Sequence, residues 1–274
     1  GNQGTACLSL AGKTIWKKRF EYPPVHGSGC SPVVEGDLLL FSADGARDPA
    51  LYALDKRTGE LRWRTPRDAS AKKKFSFCTP IVIEVEGRRQ IISPASDYVF
   101  AYDLSGKQIW KSHYPGGYSV VPRPLYANGL IYVSSGYDRP VVYAVRPTGS
   151  GDVTETHVVW KTDKNAPRNS SPLVVGDLFF MAADTGVVSC LDAKSGALLW
   201  RERVARETSS SLLYSSGRIY LIDEQGKTYV FAATKTYKLL AENDLADRTL
   251  ASFAADDGTL YVRTASALWR IGEE

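Results

Sequence analysis

Hydrophobic and polar positions along this chain follow a short pattern with a turn at its centre. Residues 50–66 read ALYALDKRTGELRWRTP: an apolar run meets Asp55, a Thr-Gly pair follows, and a second short run carries Trp63. Asp and Gly between two β-rich runs are typical of a tight hairpin. The pattern therefore predicts two antiparallel strands joined at residues 55–59.

The same pattern occurs five times in the 274 residues. Its other copies are CLSLAGKTIWKK at 7–18, FAYDLSGKQIWK at 100–111, a copy at 142–161 stretched by the insertion TGSGDVTETH, and CLDAKSGALLWR at 190–201. The tryptophans of the five copies are Trp16, Trp63, Trp110, Trp160 and Trp200, at intervals of 47, 47, 50 and 40 residues. Periods of roughly 40 to 50 residues with four short strands each belong to propeller blades, and no amphipathic helical run is visible. The sequence therefore predicts an all-β fold, a β-propeller of four-stranded antiparallel blades.

The residue pattern of the repeat resembles that of a known family. An opening Ser-Pro or Thr-Pro, an apolar strand, Gly-Asp-Leu and then Tyr-x-Leu-Asp-x-x-Thr-Gly-x-x-x-Trp are similar to the quinoprotein-type (pyrroloquinoline quinone-like) β-propeller repeat. That repeat builds the eight-bladed quinoprotein dehydrogenases, the propeller lipoprotein of bacterial outer-membrane assembly, and many secreted proteins. The resemblance covers nearly the whole chain. It implies the fold strongly and the function weakly, because one scaffold hosts several activities.

We divide the chain into blades at the openings that precede each first strand. Residues 1–274 are expected to form a single propeller domain, with blades numbered one to seven. The predicted blades are a partial blade at 5–20, whole blades at about 30–66, 78–112, 122–162, 170–204 and 209–243, and a partial blade at 250–272. Blade six has lost its Trp, and the strands of blade seven are expected at 251–254, 259–263 and 267–271.

Two arrangements of these blades stay open. An open propeller would expose two long strand edges, which folded proteins avoid. The N-terminal strands could close a ring of six or seven blades. Alternatively, the chain is a trimmed piece of an eight-bladed ring that lacks one and a half blades at its start. The fold class is the same in both cases.

Composition narrows the function classes. A net charge of +4 from 34 basic and 30 acidic side chains gives no reason to expect nucleic acid, and the one basic run, Lys72 to Lys74, is interpreted as a solvated loop. No stretch approaches the roughly 18 apolar residues of a membrane span, and no signal peptide is visible. The opening Gly1-Asn2-Gln3-Gly4 is interpreted as the tail of a strand and turn before Cys7, as if earlier sequence had been cut away.

The four cysteines are expected to be free thiols. Cys7 and Cys190 occupy the same repeat position, in a strand where small apolar residues pack, so both are expected to be buried. Cys30 and Cys78 each precede a Ser-Pro or Thr-Pro opening. Equivalent points on neighbouring blades generally lie farther apart than the Cα separation of about 4.4–6.8 Å that a disulfide requires.

Propeller ligands bind at the channel mouth, which is formed by the loops that lead into each innermost strand and by those that join the second and third strands. These loops contain more basic and aromatic residues than acidic ones, which suits an acidic or polyhydroxy ligand. The candidate ligand-binding residues are His26, Cys30, Lys72, Tyr118, Arg123, Lys164, Arg168, Asn169, Arg206 and Arg248.

No catalytic or metal-binding residues are predicted. Quinoprotein dehydrogenases hold calcium with Glu and Asn beside a catalytic Asp, and those ligands cannot be matched here residue by residue. The repeat residues Asp55, Asp103 and Asp192 are interpreted as turn residues whose carboxylates accept backbone N–H groups. The three histidines are not spaced as metal ligands, Ser209 to Ser211 lack a nucleophile context, and no phosphate loop is present. The repeat aromatic residues are expected to pack between blades.

Three hypotheses follow from these observations. The first is a non-catalytic scaffold that binds a protein or a glycan at the channel face, without a cofactor; the family resemblance implies a periplasmic or secreted location. The alternative is a dehydrogenase that oxidises an alcohol or sugar with pyrroloquinoline quinone and calcium. The third is a fragment with no separate activity. No nucleic acid or transmembrane segment is expected, and the oligomeric state is not predicted.

Overall fold

The structure is a computed structural model that describes residues 4–20, 23, 25–68 and 71–272. The chain divides into two compact units, which are described separately: unit 1 ends at Val159 and unit 2 begins at Trp160. Within the described ranges the only helix, α1, covers Thr154–His157, and no helix is long or apolar enough to span a membrane. The predicted single domain over residues 1–274 stays a prediction.

Unit 1 contains the sheets of blades one to three and most of blade four. Blade one has two strands, β1 (Thr5–Leu8) and β2 (Thr14–Lys18). The strands of blade two, in the order 3-4-5-6, are β3 (Val33–Glu35), β4 (Leu38–Ala43), β5 (Ala50–Asp55) and β6 (Leu61–Pro66). Those of blade three are β7 (Ile81–Val85), β8 (Arg88–Pro94), β9 (Tyr98–Tyr102) and β10 (Gln108–His113). Blade four contains β11 (Leu125–Ala127), β12 (Leu130–Ser134), β13 (Val142–Val145) and β15 (Val158–Thr162), while β14 (Gly151–Asp152) joins blade three.

Unit 2 contains the remaining sheets. Blade five comprises β16 (Leu173–Val175), β17 (Leu178–Ala182), β18 (Val187–Asp192) and β19 (Leu198–Arg203). Blade six comprises β20 (Leu213–Ser215), β21 (Arg218–Ile222), β22 (Lys227–Ala232) and β23 (Leu239–Asp244). Blade seven comprises three strands, β24 (Ala254–Asp256), β25 (Thr259–Arg263) and β26 (Leu268–Ile271). In blades two, three, five and six the four strands in chain order, here strands A to D, pair antiparallel as hairpins; blade four has the same strand order, with the insertion between its strands C and D.

These sheets confirm the four-stranded antiparallel blades that the repeat predicts. One boundary differs from the prediction: the first strand of blade seven begins at Ala254 rather than at residue 251. There, Thr249 Oγ1 accepts the N–H of Ala251 and donates to the carbonyl of Arg263, so the loop's own hydrogen bonds replace strand pairing.

Apolar side chains fill the space between successive blades inside each unit. In unit 1, Leu40 and Leu51 of blade two pack with Ile91 and Phe100 of blade three, and all four are fully buried. In unit 2, Phe180 of blade five packs in one cluster with Ile219 and Phe231 of blade six. Fully burying a side chain of this size contributes about 1.5–3 kcal/mol, so these faces dominate the stability of each unit.

The repeat tryptophan packs against the hairpin turn of the following blade. The indole N–H of Trp63 donates to the carbonyl of Leu104 at 3.0 Å, and Trp160 makes the same bond to Ala193 at 2.9 Å. A Cβ at Gly106, which adopts φ +85°, would lie 2.7 Å from the Trp63 ring. The Gly of the repeat is thus required both by its backbone conformation and by the ring that lies against it. This contact confirms the predicted packing of the repeat tryptophans between blades.

Trp110 is held differently, because the insertion in the copy at 142–161 folds back on blade three. Strand β14 pairs in parallel with β10 through Trp110 and Lys111, which makes blade three a five-stranded sheet. The Trp110 indole donates to the Gln90 side chain at 3.0 Å, and Gln90 donates to the carbonyl of Pro147 at 3.1 Å. Val153 follows β14 and is buried in the adjoining apolar cluster.

Candidate functional site

One position in the turns between strands B and C carries a carboxylate in three blades. Strand registers pair Leu38 with Asp55 and Leu178 with Asp192, which makes Asp44 of blade two equivalent to Asp184 of blade five. By the same register Glu224 takes this place in blade six. The backbone carbonyls of these three residues accept an N–H from the loop that leads into the next blade, at Ser76, Thr208 and Thr249. We call the B–C turns and the loops from strand D to the next strand A the loop face of each unit.

On the loop face of unit 2, the turn carboxylates bind the predicted site residues. Asp184 accepts the backbone N–H of Arg168 at 2.9 Å and the side-chain amide of Asn169 at 2.6 Å. Glu224 accepts the hydroxyl of Ser209 at 2.7 Å, and its other oxygen lies 3.6 Å from the guanidinium of Arg248. Of the predicted basic residues of this face, Arg248 therefore has its charge paired with a turn carboxylate, whereas Arg168 is bonded through its backbone N–H.

The other two candidates of unit 2 are exposed. The Lys164 ammonium lies 3.9 Å from the carboxylate of the adjacent Asp163. Arg206 lines an open cleft of about 440 Å³ together with Arg203 and Gln225. These two candidates are not brought to one shared site.

In unit 1 the equivalent carboxylate is buried in an ion pair. Both oxygens of Asp44 accept hydrogen bonds from the Arg67 guanidinium at 2.9 Å, and both side chains are 1% exposed or less. Arg67 also donates to the hydroxyls of Ser42, Ser93 and Tyr102. Burial raises the pKa of Asp44, an effect that the charge of Arg67 opposes. Arg67 was not among the predicted site residues, although its position four residues after Trp63 is a local signal that it lies between blades.

Cys30 lies beside this buried network. Its thiol is half-buried, donates to the carbonyl of Ser31 and accepts the N–H of Ser42 at 3.3 Å. Burial raises the pKa of Cys30 to about 11, so the group stays a thiol at neutral pH. All four cysteines are free, as predicted; Cys190 is fully buried, whereas Cys7 is only half-buried.

The loop face of unit 1 carries a row of aromatic rings formed by His26, Phe75, Tyr118 and Tyr137. Successive centroids lie 5.7, 5.5 and 6.2 Å apart, with neighbouring rings close to edge-to-face. Backbone bonds fix the row, because the N–H of Ser119 donates to Phe75 and that of Tyr137 donates to Tyr118. We call these four residues the aromatic row.

Tyr118 is also the centre of a charged contact. Its hydroxyl donates to Asp138 at 2.7 Å, and the ammonium of Lys73 lies 3.8 Å from the centre of its ring. The same ammonium is 3.6 Å from the Asp138 carboxylate. The side-chain hydrogen bond with Tyr118 raises the pKa of Lys73, and the negative charge of Asp138 adds to that rise.

Beside the aromatic row lies an open cleft of about 510 Å³, the aromatic cleft. Its lining includes Lys72, Lys73, Asp97, His113, Tyr118 and Asp138. Of the predicted residues of unit 1, Lys72 and Tyr118 thus line one cleft, and His26 lies at the end of the adjoining aromatic row. Arg123 is exposed and does not line this cleft. Its charge opposes the rise in the pKa of Cys78 that burial causes. Lys73 and Asp138 were not predicted as site residues, although the Lys run directly before Phe75 was a usable signal.

The turn aspartates on the opposite edge of the blades are structural, as predicted. Asp55 accepts the N–H groups of Arg57 and Thr58, and Asp103 and Asp192 accept N–H groups of their own turns. Across the described residues, no three His, Cys, Asp or Glu side chains lie close enough together to hold a metal ion.

Comparison with known proteins gives a consistent result. The family model described as "Outer membrane protein assembly factor BamB" matches residues 2–181 and, in an overlapping match, residues 152–270. The outer membrane protein assembly factor BamB of Yersinia pestis is 27% identical over 266 residues, covering 93% of this chain and 65% of that protein. The chain thus spans slightly less than two thirds of the length of that relative.

Solved structures show the same fold. The crystal structure of BamB from Moraxella catarrhalis matches with a TM-score of 0.74 at 12% identity, covering 98% of this chain and 78% of that one. The quinohemoprotein alcohol dehydrogenase ADHIIG from Pseudomonas putida HK5 matches with a TM-score of 0.60 at 13% identity, covering 80% of this chain and 42% of that one. These matches confirm the predicted β-propeller fold and the resemblance to the quinoprotein-type repeat.

Proposed function

Because this chain belongs to the outer membrane protein assembly factor BamB family, we propose that it is a non-catalytic scaffold that binds a protein partner outside the cytoplasm. The periplasm is the compartment that the family suggests. The loop face of unit 1 is the proposed binding surface. One observation carries this choice: the described loop residues form an exposed aromatic and charged cleft, and the turn carboxylates are engaged by neighbouring groups of the protein.

The residues of the loop faces do not fit the cofactor of the dehydrogenase alternative. A quinone of this kind is held by a calcium ion and stacked against an indole ring in the proteins that this chain resembles. Here Trp16, Trp63, Trp160 and Trp200 donate to turn carbonyls of the following blade, Trp110 donates to Gln90, and Trp269 donates to the hydroxyl of Thr264 in its own blade. No metal-binding cluster occurs among the residues that the structure describes. This supports a binding role over oxidation chemistry.

Site-directed photo-crosslinking tests the proposed binding role. A photoreactive amino acid would replace Lys72 on the loop face of unit 1, in protein exported to the periplasm of the bacterium that encodes it. Lys107, exposed in the hairpin turn of blade three, gives the matched control position. We expect adducts with an identified periplasmic or outer-membrane protein from position 72 and none from position 107. Absence of protein adducts from position 72 would contradict the proposal.

The dehydrogenase alternative is tested with purified protein. Protein incubated with pyrroloquinoline quinone and calcium should not reduce a redox dye when alcohols or sugars are added. Dye reduction together with a protein-bound quinone absorbance would overturn the non-catalytic assignment.

A further inference from the structure

We propose that the aromatic cleft of unit 1 binds an extended, acidic polypeptide segment, with a carboxylate on Lys73 and an apolar side chain beside Tyr118. This inference rests on the proposed function and names the chemistry of the partner at that surface.

The cleft is ordered before a partner arrives. Tyr118 contacts the rings of Phe75 and Tyr137, and its hydroxyl is bonded to Asp138. Its backbone also forms a bridge with Gly136. A side chain that is already held in place loses little conformational entropy on binding, so apolar contact with it contributes more to affinity.

The surroundings of the cleft favour a negatively charged partner. Lys72, Lys73 and Lys74 are exposed in consecutive positions, and Arg139 is exposed beside Asp138. The nearby carboxylates are Asp97 and Asp138, of which Asp138 already faces Lys73. Within the lining itself Lys72 and Lys73 are matched by Asp97 and Asp138, so the excess of positive charge comes from the adjoining Lys74 and Arg139, and it attracts a segment that carries Asp or Glu.

The contact between Lys73 and Tyr118 favours a polypeptide over a sugar. A pyranose ring stacks on an open aromatic face, whereas the Lys73 ammonium lies 3.8 Å from the centre of the Tyr118 ring. The same ammonium is 3.6 Å from Asp138, a long contact for an ion pair, and the Lys73 side chain is about half exposed. A partner carboxylate can therefore approach Lys73 and replace that weak contact with a charge-assisted hydrogen bond.

The test is fluorescence anisotropy with the purified chain and a labelled peptide of alternating Asp and Phe or Leu. A peptide with Lys in place of Asp, one with Asn in place of Asp, and a neutral and an anionic hexasaccharide complete the probe set. We expect the acidic peptide to bind more tightly than every other probe, and its affinity to fall as salt rises from 25 to 150 mM.

Variants locate the site. K73Q should lower the affinity for the acidic peptide by about tenfold, which corresponds to the loss of one good charged contact. K107Q should leave this affinity unchanged. D138N removes the internal competitor of the partner carboxylate while its amide oxygen still accepts the Tyr118 hydroxyl, so it should tighten binding by about two- to fivefold. Circular dichroism spectra that match the wild type establish that each variant is folded.

Opposite results would overturn the inference. These are equal binding of the acidic and the Lys-containing peptides, weaker binding in D138N, or tighter binding of a hexasaccharide. If the acidic peptide does not bind while position 72 still yields protein adducts, the proposed chemistry of the partner is wrong and the proposed scaffold role is retained. If both fail, the proposed function is wrong as well.

Discussion

Asp44 and Asp184 occupy the same turn position in blades of different units, and they serve the protein in different ways. Asp44 is completely buried and pairs with the Arg67 guanidinium. Asp184 is half-buried and accepts hydrogen bonds from Arg168 and Asn169 in the loop that leads into its own blade. The backbone carbonyl makes the same bond to the next blade in both cases.

Two neighbouring positions explain this difference. Arg67 lies four residues after Trp63, and the equivalent place after Trp200 holds the buried, apolar Val204. Conversely, Asn169, two residues before Ser171-Pro172, is replaced in blade two by Gly29, which has no side chain to offer Asp44. The repeat therefore sets where the carboxylate lies, and variable neighbours decide whether it joins two blades or fixes a loop.

Removing the buried carboxylate should have the largest effect. Asp44→Ala would leave the Arg67 charge buried without a counter-ion, so we expect the free energy of unfolding to fall by about 3–5 kcal/mol in urea titrations. The double variant D44A/R67M should recover most of this loss, because it removes the buried charge as well. A loss below about 1 kcal/mol for D44A would contradict the importance of the pair.

Removing the loop carboxylate should cost less. Asp184→Ala leaves the N–H of Arg168 and the amide of Asn169 without their acceptor, but water can reach this half-buried site. We expect a loss of about 1–2 kcal/mol in the same titrations. Asp184→Asn keeps an acceptor oxygen and should lose less than D184A. If D184A costs as much as D44A, burial does not distinguish the two positions.

Lowering the pH should have the smallest effect on stability. It tests Asp55, a turn carboxylate at the opposite edge of blade two from Asp44. The hydrogen bond from Arg62, followed by the N–H groups of Thr58 and Arg57, lowers the pKa of Asp55 to about 2. Because this pKa lies below the ordinary value, the contribution of Asp55 to stability is complete above about pH 4 and is lost as the pH falls toward 2. Urea midpoints measured from pH 5 to pH 2.5 should therefore fall more for the wild type than for D55N. Equal slopes would contradict the assigned role of Asp55.

The repeat made much of the fold predictable. Trp63 and Gly106 belong to successive copies of one pattern, so their packing between blades follows from a local signal repeated along the chain. The turn roles of Asp55, Asp103 and Asp192 were predictable for the same reason, because a carboxylate after a strand and before a Thr-Gly or Ser-Gly pair accepts nearby N–H groups.

Contacts between elements distant in sequence were not predictable in this way. Arg67 and Asp44 are 23 residues apart and neither departs from the pattern of a polar loop. The insertion was visible in the sequence, but its two-residue strand Gly151–Asp152 lacks the apolar alternation that marks a strand. For the candidate site, the sequence indicated the loops and several of their residues. Their carboxylate partners became evident only when the B–C turns were placed beside them.

The contact between each Trp and the following Gly turn has a consequence for dividing the chain. A segment cut at the limits of one sheet would carry an indole with no turn to cover it and a glycine turn with no ring against it. Cuts placed just before a strand D and just after the next Thr-Gly or Ser-Gly turn would keep each such pair in one piece. Shortened versions of this protein should thus be more soluble when their ends lie before a strand D and after the next Gly turn than when they coincide with the limits of a sheet.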